Sequence, residues 1–186
     1  MPPSTPSDSQ VVTIYTIGHS TRPLLEFLSI LQSHAISTLV DIRAFPVSRR
    51  FPHFSKERLA AALEERDIRY QWMPSLGGHR AESLDGSPHT ALRSGAFRNY
   101  ADYMLSPEFE HAAREIISIA EASPTACMCA EKDYRQCHRK LVSDWLVAHG
   151  HKVLHITDSG APHQHEITPE ARLEGHQLIY RGDRLF

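Results

Sequence analysis

Short runs of β-branched and apolar residues alternate with segments of helical periodicity along most of the chain, and this alternation constrains the fold more than any other feature. The runs that predict strands are Val11 to Ile17, Ile36 to Ile42, Ile68 to Trp72, Thr125 to Met128 and Lys152 to Ile156. Strands that alternate with helices form βαβ units, and such units build a mainly parallel sheet covered on both faces. Because a closed barrel of this kind needs about eight strands, we predict an open, Rossmann-like three-layer α/β/α sandwich with about five strands.

Helical periodicity and capping residues place five helices between these strands. The predicted helices are Pro23 to Leu31, Lys56 to Arg66, Phe97 to Met104, Glu108 to Ala120 and Cys137 to Ala148. Ser20 or Thr21 is predicted to cap the first helix and Ser55 the second, because short polar side chains accept hydrogen bonds from the first helical turn.

The remaining segments have the composition of loops or tails. Residues 1–10 are rich in Pro and Ser and predict a disordered tail, which leaves 11–186 as a single domain. Segment 75–92 lacks periodicity and predicts a long loop, which in a compact domain is usually functional. Segment 157–174 is polar and is predicted to be weakly structured, and Gln177 to Tyr180 is predicted to form a last strand or hairpin.

Cysteine usage and the shortness of the apolar stretches indicate the compartment. The sequence holds three cysteines, an odd number that argues against a secreted disulfide framework. No stretch approaches the roughly 20 consecutive apolar residues of a membrane span, and the first residues show no signal pattern. We therefore expect a cytoplasmic protein with no membrane partner.

Charge limits the kinds of partner that the chain can attract. The formal net charge is −2, so the global basic field typical of a constitutive nucleic-acid binder is missing. Arginine nevertheless outnumbers lysine 16 to 4, and guanidinium groups suit bidentate capture of carboxylate or phosphate. A GC-rich genome would explain the same excess. Anion binding is therefore expected from a local patch.

Polar residues concentrate where the predicted strands end, and this is where open α/β sheets bind ligands. These residues are Gly18, His19 and Ser20 after the first strand, Asp41, Arg43, Ser48, Arg49 and Arg50 after the second, Leu76, Gly77, Gly78, His79 and Arg80 after the third, Cys129, Glu131 and Lys132 after the fourth, and His155 at the end of the fifth. We expect folding to gather them around one water-accessible pocket.

Two of these groups suit catalysis or anion binding. Gly18 to Ser20 can supply backbone N–H groups for an anion, with His19 as an acid or base, or can form a tight turn in which Ser20 caps the helix. Asp41 and Arg43 are two residues apart and share one face of a strand, so they form either a site or a structural salt bridge. The sequence holds neither a Gly-rich dinucleotide fingerprint nor a phosphate-binding loop with its lysine.

A third group combines cations with aromatic rings. Arg49 and Arg50 lie close in sequence to Phe45, Phe51 and Phe54, a mixture that suits stacking on a base or holding a phosphate. The alternative is a solvated loop anchored by its phenylalanines.

The cysteines, Cys127, Cys129 and Cys137, fall within one short segment that continues into His138 and Arg139. At a helix N-terminus beside these two residues, the Cys137 thiol would have a lowered pKa and be a better nucleophile. The alternatives are buried cysteines with a packing role, or a metal site of Cys129, Cys137 and His138. Their spacing matches neither a zinc ribbon nor a zinc finger, so no metal is predicted.

Five motifs follow one another along the chain. They are T-I-G-H-S (Thr16 to Ser20), V-D-I-R-A-F-P-V-S-R (Val40 to Arg49), L-G-G-H-R (Leu76 to Arg80), F-R-N-Y-A-D-Y-M (Phe97 to Met104) and C-A-E-K-D-Y-R-Q-C-H-R (Cys129 to Arg139). Together they resemble the family called domain of unknown function 488, and the resemblance implies a compact α/β fold without indicating an activity. The positions that match the family pattern are His19, Ser20, Asp41, Arg43, Pro46, Ser48, Arg49, Gly77, Gly78, Arg80, Tyr100, Cys129, Glu131, Cys137, His138 and Arg139.

The leading hypothesis is an enzyme, a hydrolase or a transferase, that acts on a small anionic or nucleotide-like substrate at the carboxyl edge of the sheet. The catalytic candidates are His19, Asp41, Glu131, Cys129 and Cys137. The substrate-binding candidates are Ser20, Arg43, Ser48, Arg49, Gly77, Gly78, Arg80, His138 and Arg139.

Two hypotheses from other classes remain open. A nucleic-acid-binding module would use Arg49, Arg50, Arg80, Phe51 and Trp72 to hold phosphates and stack an unpaired base. A thiol- or metal-dependent sensor would use the cysteines. The sequence specifies neither a cofactor nor an oligomeric state.

Overall fold

In the computed structural model, which describes residues 10–82 and 86–182, five parallel strands and one antiparallel strand form a six-stranded sheet. In spatial order the strands are β3 (Arg69–Trp72), β2 (Thr38–Asp41), β4 (Thr125–Cys129), β1 (Thr13–Gly18), β5 (Lys152–Ile156) and the antiparallel β6 (His163–Gln164). A separate antiparallel hairpin consists of β7 (Ala171–Glu174) and β8 (Gln177–Tyr180). The predicted α/β class and the mainly parallel sheet are confirmed.

Five helices cover the two faces of the sheet, each with its own apolar core. They are α1 (Leu24–Ser33), α2 (Lys56–Glu64), α3 (Gly95–Tyr103), α4 (Pro107–Ala122) and α5 (Arg139–Ala148). Ile17 of β1 packs with α1 and α2, whereas Ile14 packs with α3, α4 and α5. Side chains of a strand alternate between its faces, so these two residues bury themselves in opposite layers. None of the five described helices is long and apolar enough to cross a membrane.

The structure differs from the sequence expectations in three places. Pro23, not Ser20 or Thr21, is the N-cap of α1. Cys137 precedes α5, whose N-cap is His138. Segment 157–174 is more ordered than its composition indicated, because it contains β6 and β7. Residues 1–9 of the predicted tail lie outside the described residues, and Gln10 has no regular secondary structure.

The strand order creates a crevice at the carboxyl edge of the sheet. β4 lies between β2 and β1, and its end is in register with theirs: Cys129 pairs with Gly18, and Met128 with Asp41. α1 and α2, which follow β1 and β2, pack on one face, while α5, which follows β4, packs on the other. Where two adjacent strands are followed by helices on opposite faces, the loops after these strands run apart and leave a crevice between them. Ligands bind at such a switch point.

Candidate active site

A pocket of about 780 Å³ occupies this crevice. Nine of the catalytic and substrate-binding candidates line it: His19, Ser20, Arg43, Ser48, Gly78, Cys129, Glu131, Cys137 and His138. Five of these candidates do not line it, namely Asp41, Arg49, Gly77, Arg80 and Arg139, and neither do Gly18 and His155. The structure therefore brings together most of the selected loops and assigns other contacts to the remaining residues.

The buried side chain of Asp41 holds the side chain of Arg43 in the pocket wall. The Asp41 carboxylate is fully buried and accepts hydrogen bonds from Nε of Arg43 at 2.9 Å and from Nη2 at 2.6 Å. Nη2 also donates to the Phe54 carbonyl at 2.9 Å, and the Tyr70 hydroxyl donates to Asp41 at 2.6 Å. Burial by itself would lower the pKa of Arg43, but the hydrogen bonds and charge of Asp41 outweigh it and raise that pKa. The pair is thus a structural salt bridge that also presents Arg43 to the pocket.

His19 is a neutral imidazole with a defined tautomer. Its Nδ1 lies 2.8 Å from the Ser20 carbonyl and must donate to it, so Nε2 is the unprotonated nitrogen and accepts from Nη1 of Arg43 at 3.4 Å. Burial lowers the pKa of His19 to about 4, and the neighbouring Arg43 acts in the same direction. The ring stacks on Phe54 with centroids 4.2 Å apart. His19 therefore offers the pocket a hydrogen-bond acceptor at neutral pH.

The turn between β1 and α1 is tied to the loop after β4. The N–H groups of His19 and Ser20 donate to the carbonyls of Cys129 and Ala130, each at 2.9 Å. A Cβ atom at Gly18 would collide with the Glu131 carbonyl, so only glycine fits there. The backbone N–H groups of Gly18 to Ser20 were expected to bind an anion. This expectation is wrong for His19 and Ser20, because their N–H groups already donate to carbonyls. Ser20 adopts a φ of 53° instead of capping the helix.

Cys129, Cys137 and His138 form one cluster in the pocket wall. Their two Sγ atoms and a ring nitrogen of His138 lie within 4.8 Å of one another. Nε2 of His138 donates to the Ile42 carbonyl at 3.1 Å, which leaves Nδ1 facing Sγ of Cys137 at 3.6 Å. The neighbouring Cys129 thiol holds the pKa of Cys137 well below its usual range despite burial, while the pKa of Cys129 is raised. Of the two thiols, that of Cys137 is therefore the easier to ionise.

Two glycines let the loop after β3 approach this cluster. A Cβ atom at Gly78 would lie 2.6 Å from Nδ1 of His138, and one at Gly77 would lie 2.7 Å from Cα of Ala44. Tyr100 packs on the other side of His138, with ring centroids 5.1 Å apart. The glycines thus serve close packing of backbone against the site.

The rim of the pocket combines exposed charges with exposed apolar groups. Glu131 and Arg50 are exposed, and the Arg50 guanidinium lies 5.5 Å from the centroid of the Phe51 ring. Phe45 and Val47 are each 72% exposed. The pocket-lining residues that sequence reasoning missed include Ala44, Val47, Ala96, Phe97, Ala130 and Gln136. The signal that could have identified Val47 is its position beside Phe45 and Pro46, in a loop that was selected for its arginines and phenylalanines.

Several selected cations serve the scaffold instead. Arg80 donates to the carbonyls of Gly77 and Ser75 at 3.0 and 2.8 Å, and its guanidinium lies 3.4 Å from the centroid of the Tyr103 ring. Arg49 is exposed outside the pocket. Arg139 is buried and donates to the Glu131 and Lys132 carbonyls, which fixes the loop after β4.

Trp72, the aromatic candidate of the nucleic-acid hypothesis, also contributes to the scaffold. Its indole N–H donates to the Arg43 carbonyl at 2.9 Å, and Nζ of Lys56 lies 4.3 Å from the centroid of its ring.

His155 lies away from the pocket, in a buried chain of hydrogen bonds. The Asp144 carboxylate accepts from Nε2 of His165 at 2.9 Å, so Nδ1 of His165 accepts from Nε2 of His155 at 2.9 Å. The Thr16 hydroxyl then donates to Nδ1 of His155 at 2.6 Å and accepts from Nη1 of Arg139 at 3.4 Å. With this assignment every donor in the chain points toward Asp144, and burial, which lowers the pKa of His155 to about 3, keeps that imidazole neutral. The expectation that His155 joins the pocket is wrong, because its two nitrogens are used within the core.

The fold and the pocket define a class of protein: a Rossmann-like α/β domain whose pocket, lined by polar and apolar residues, lies at the switch point of a mainly parallel sheet. The model of the family described as "Domain of unknown function DUF488" matches residues 23–146, and the chain belongs to this family. This membership confirms the resemblance carried by the sequence motifs, although the T-I-G-H-S motif lies before the matched segment. Among curated proteins and among solved structures, no significant match to the chain was found.

Proposed function

We propose that the protein is a cytoplasmic enzyme, a hydrolase or transferase, that acts on a small anionic, nucleotide-like substrate bound in this pocket. The observation that carries the proposal is the convergence of His19, Arg43 and Glu131, from the ends of three adjacent strands, on one pocket of about 780 Å³. Ligand pockets commonly measure about 300–1,000 Å³ and combine apolar walls with a few polar groups. Free thiols at all three cysteines support a reducing compartment.

The anionic part of the substrate is proposed to bind the cationic side of the pocket. Nη1 of Arg43 faces His19 there, and the exposed side chains of Arg50 and Lys132 also line the pocket. Asp41 balances the charge of Arg43, so Arg50 and Lys132 provide the uncompensated positive charge against the negative charge of Glu131. Guanidinium groups bind phosphate oxygens through paired, charge-assisted hydrogen bonds.

A planar group of the substrate is proposed to bind the apolar side. Phe45, Phe51 and Phe97 line the pocket, and Phe45 leaves 72% of its surface in solvent. An exposed ring beside cations is a favourable platform for a nucleobase, since base–aromatic stacking contributes about 1–3 kcal/mol per base. The combination of cations and rings therefore favours a nucleotide-like ligand over a simple anion.

Two pocket residues are suited to proton transfer or to orienting a reacting group. His19 is neutral because its pKa is lowered to about 4, and its Nε2 can accept a hydrogen bond from a water or a hydroxyl group in place of its long contact, 3.4 Å, with Nη1 of Arg43. The Glu131 side chain lies at the exposed rim, where Oε1 accepts the backbone N–H of Lys132 at 3.0 Å. We propose Glu131 as the general base, with His19 holding the attacking group.

The nucleic-acid hypothesis has less support, because two of its five residues bind the scaffold. Arg80 is engaged with backbone carbonyls, and Trp72 with the Arg43 carbonyl. Arg50 and Phe51 line a pocket sized for a single small ligand.

Calorimetric titration with adenosine 5′-monophosphate and with adenosine tests the binding step. Arg50→Ala should weaken the monophosphate about tenfold or more, because a hydrogen bond to a charged group contributes about 1.5–3 kcal/mol and about 1.4 kcal/mol is tenfold. It should affect adenosine less. Arg58→Ala, on the exposed side of α2 away from the pocket, is the matched control. Equal affinities for the two variants, or no binding of either probe to the wild type, would contradict the proposal.

Mass spectrometry of products tests the chemical step. The wild type is incubated with the common nucleoside mono-, di- and triphosphates, and conversion of at least one is expected. Glu131→Gln should abolish that conversion while circular dichroism and the melting temperature stay unchanged. Glu64→Gln, an exposed residue of α2, should retain it. Full turnover by Glu131→Gln would remove Glu131 from the mechanism.

A further inference from the structure

We propose that Cys129, Cys137 and His138 bind a zinc ion whose open coordination position faces the pocket. Their ligand atoms lie within 4.8 Å of one another, and all three residues line the pocket wall. The inference deepens the proposed function, because it names the group that would activate water or polarise the substrate.

The separation between Cys137 and His138 matches a tetrahedral zinc site. With Zn–S at about 2.3 Å and Zn–N at about 2.0 Å, a thiolate sulfur and an imidazole nitrogen on the same ion lie about 3.5 Å apart. Sγ of Cys137 and Nδ1 of His138 are 3.6 Å apart. An ion can therefore bridge these two atoms without moving either side chain.

His138 is already oriented as a metal ligand. Imidazoles that bind metals donate their second N–H to a carbonyl or carboxylate, which fixes the tautomer and the ring orientation. Nε2 of His138 donates to the Ile42 carbonyl at 3.1 Å. Gly78 and Tyr100 enclose the ring from two sides, so Nδ1 is held toward the two thiols.

The donor set also selects the kind of ion and the kind of site. Two thiolates and one imidazole suit zinc, which accepts both sulfur and nitrogen ligands. Structural zinc sites use four protein ligands, whereas catalytic sites use three and leave the fourth position to water or substrate. The spacing rules for ribbons and fingers concern four-ligand sites, so they do not apply to this three-ligand set.

Cys127 shows that the clustering is specific. It belongs to the apolar core and is 1% exposed, although it lies only two positions before Cys129. Cys129 is instead the last residue of β4, Cys137 directly precedes the N-cap of α5, and the two meet at the pocket. A water in the open position would have its pKa lowered to about 7 and would supply hydroxide near neutral pH. Glu131, which lines the same pocket, would take the released proton.

Metal analysis and cobalt substitution of the untagged full chain test the site. Protein purified without chelators should contain about one zinc per chain by inductively coupled plasma mass spectrometry. After chelation and reduction, added Co²⁺ should produce a thiolate-to-cobalt charge-transfer band and intense visible bands of a four-coordinate ion. Cys129→Ser and Cys137→Ser should each lose this spectrum, and Cys127→Ala should keep it.

Three results would overturn the inference: no stoichiometric zinc or cobalt in reduced wild-type protein, a cobalt spectrum that survives in Cys137→Ser, or binding lost equally in Cys127→Ala. The wild-type measurement decides even where a variant fails to fold. Metal-free protein, prepared by chelation, is also titrated with adenosine 5′-monophosphate, so that the zinc site and the proposed nucleotide pocket are tested separately. Nucleotide binding without metal binding refutes only the zinc site, whereas a bound metal without nucleotide binding refutes only the nucleotide pocket.

Discussion

Replacing Gly78 with alanine tests how closely the loop after β3 packs on the functional cluster. The added Cβ would lie 2.6 Å from Nδ1 of His138 and 3.0 and 3.2 Å from Cγ and Cε1. Favourable van der Waals contacts between such atoms begin at about 3.5 Å, so the ring or the loop must move by about 0.9 Å. The φ angle of Gly78 lies outside the left-handed region, so the effect of the substitution is steric.

A shift of this size disrupts the contacts that orient His138. The ring is held by the Ile42 carbonyl at 3.1 Å and faces Sγ of Cys137 at 3.6 Å. Overpacking of a well-packed site typically costs about 1–3 kcal/mol, and we expect the free energy of unfolding to fall by that amount. The pKa of Cys137 should rise, because a displaced ring pushes Sγ of Cys137 away from the Cys129 thiol, which is the main group that lowers this pKa.

Urea unfolding and alkylation of reduced, chelator-treated protein measure the two effects. The rate at which iodoacetamide modifies Cys137, followed by peptide mass spectrometry against pH, reports the thiolate. Gly78→Ala should shift this pH profile upward. Gly95→Ala is the matched control, because its added Cβ meets nothing within 4 Å and it lies in the first turn of α3. The control should stabilise the fold by up to about 1 kcal/mol and leave the profile unchanged.

Wild-type stability together with a wild-type alkylation profile in Gly78→Ala would refute the reasoning, since it would mean that the ring is not confined as the structure shows. A free energy of unfolding in Gly78→Ala that is as high as that of Gly95→Ala would refute it in the same way.

Three further predictions concern the scaffold. Burial lowers the pKa of His155 from 6.5 to about 3, so the unfolded chain binds this proton more tightly and stability falls as pH drops through that window, by about 1.4 kcal/mol per unit. Between pH 6.5 and 5, the free energy of unfolding measured in urea should therefore fall about 2 kcal/mol less in His155→Gln than in the wild type. The exposed His163→Gln should follow the wild type. Parallel curves of this free energy against pH for wild type and His155→Gln would disprove the prediction. Ala35 lies on an exposed turn with a φ of 53°, a left-handed conformation that is strained for alanine. Ala35→Gly should therefore raise the free energy of unfolding by about 0.5–1 kcal/mol in thermal melts. A lowered melting temperature would contradict the strain at Ala35. Asp41→Asn should destabilise the protein by about 3–5 kcal/mol in urea, because it leaves the buried Arg43 without its charge partner, and a loss below about 1 kcal/mol would show that the pair contributes little.

The architecture was predictable because its strands carry local signals. β1, β2, β4 and β5 are short, β-branched or apolar, and separated by helical periodicity, so their type follows from residues close in sequence. β6 has only two residues, both exposed, and exists because it pairs with β5. Such a strand has no local pattern to detect.

The position of the pocket was also predictable, but the division of labour among its residues was not. Arg43, Arg49 and Arg80 look alike in sequence, yet Arg43 lines the pocket, Arg49 lies outside it and Arg80 binds backbone carbonyls. Burial and hydrogen-bond partners decide between these roles, and both depend on which loops meet. His165 lies in a polar segment without periodicity, so its pairing with Asp144 had no local signal either.

The sequence by itself determined the order of strands and helices, the family and the edge of the sheet at which polar residues accumulate, because periodicity and strand-end position are properties of neighbouring residues. Only the tertiary structure decided that Cys129 and Cys137 meet His138 and that Asp41 lies beneath Arg43. It also decided that His155 turns into the core. These contacts arise where loops distant in sequence pack against one another, and their geometry is set by the space and the hydrogen-bond partners that the complete fold leaves to each side chain.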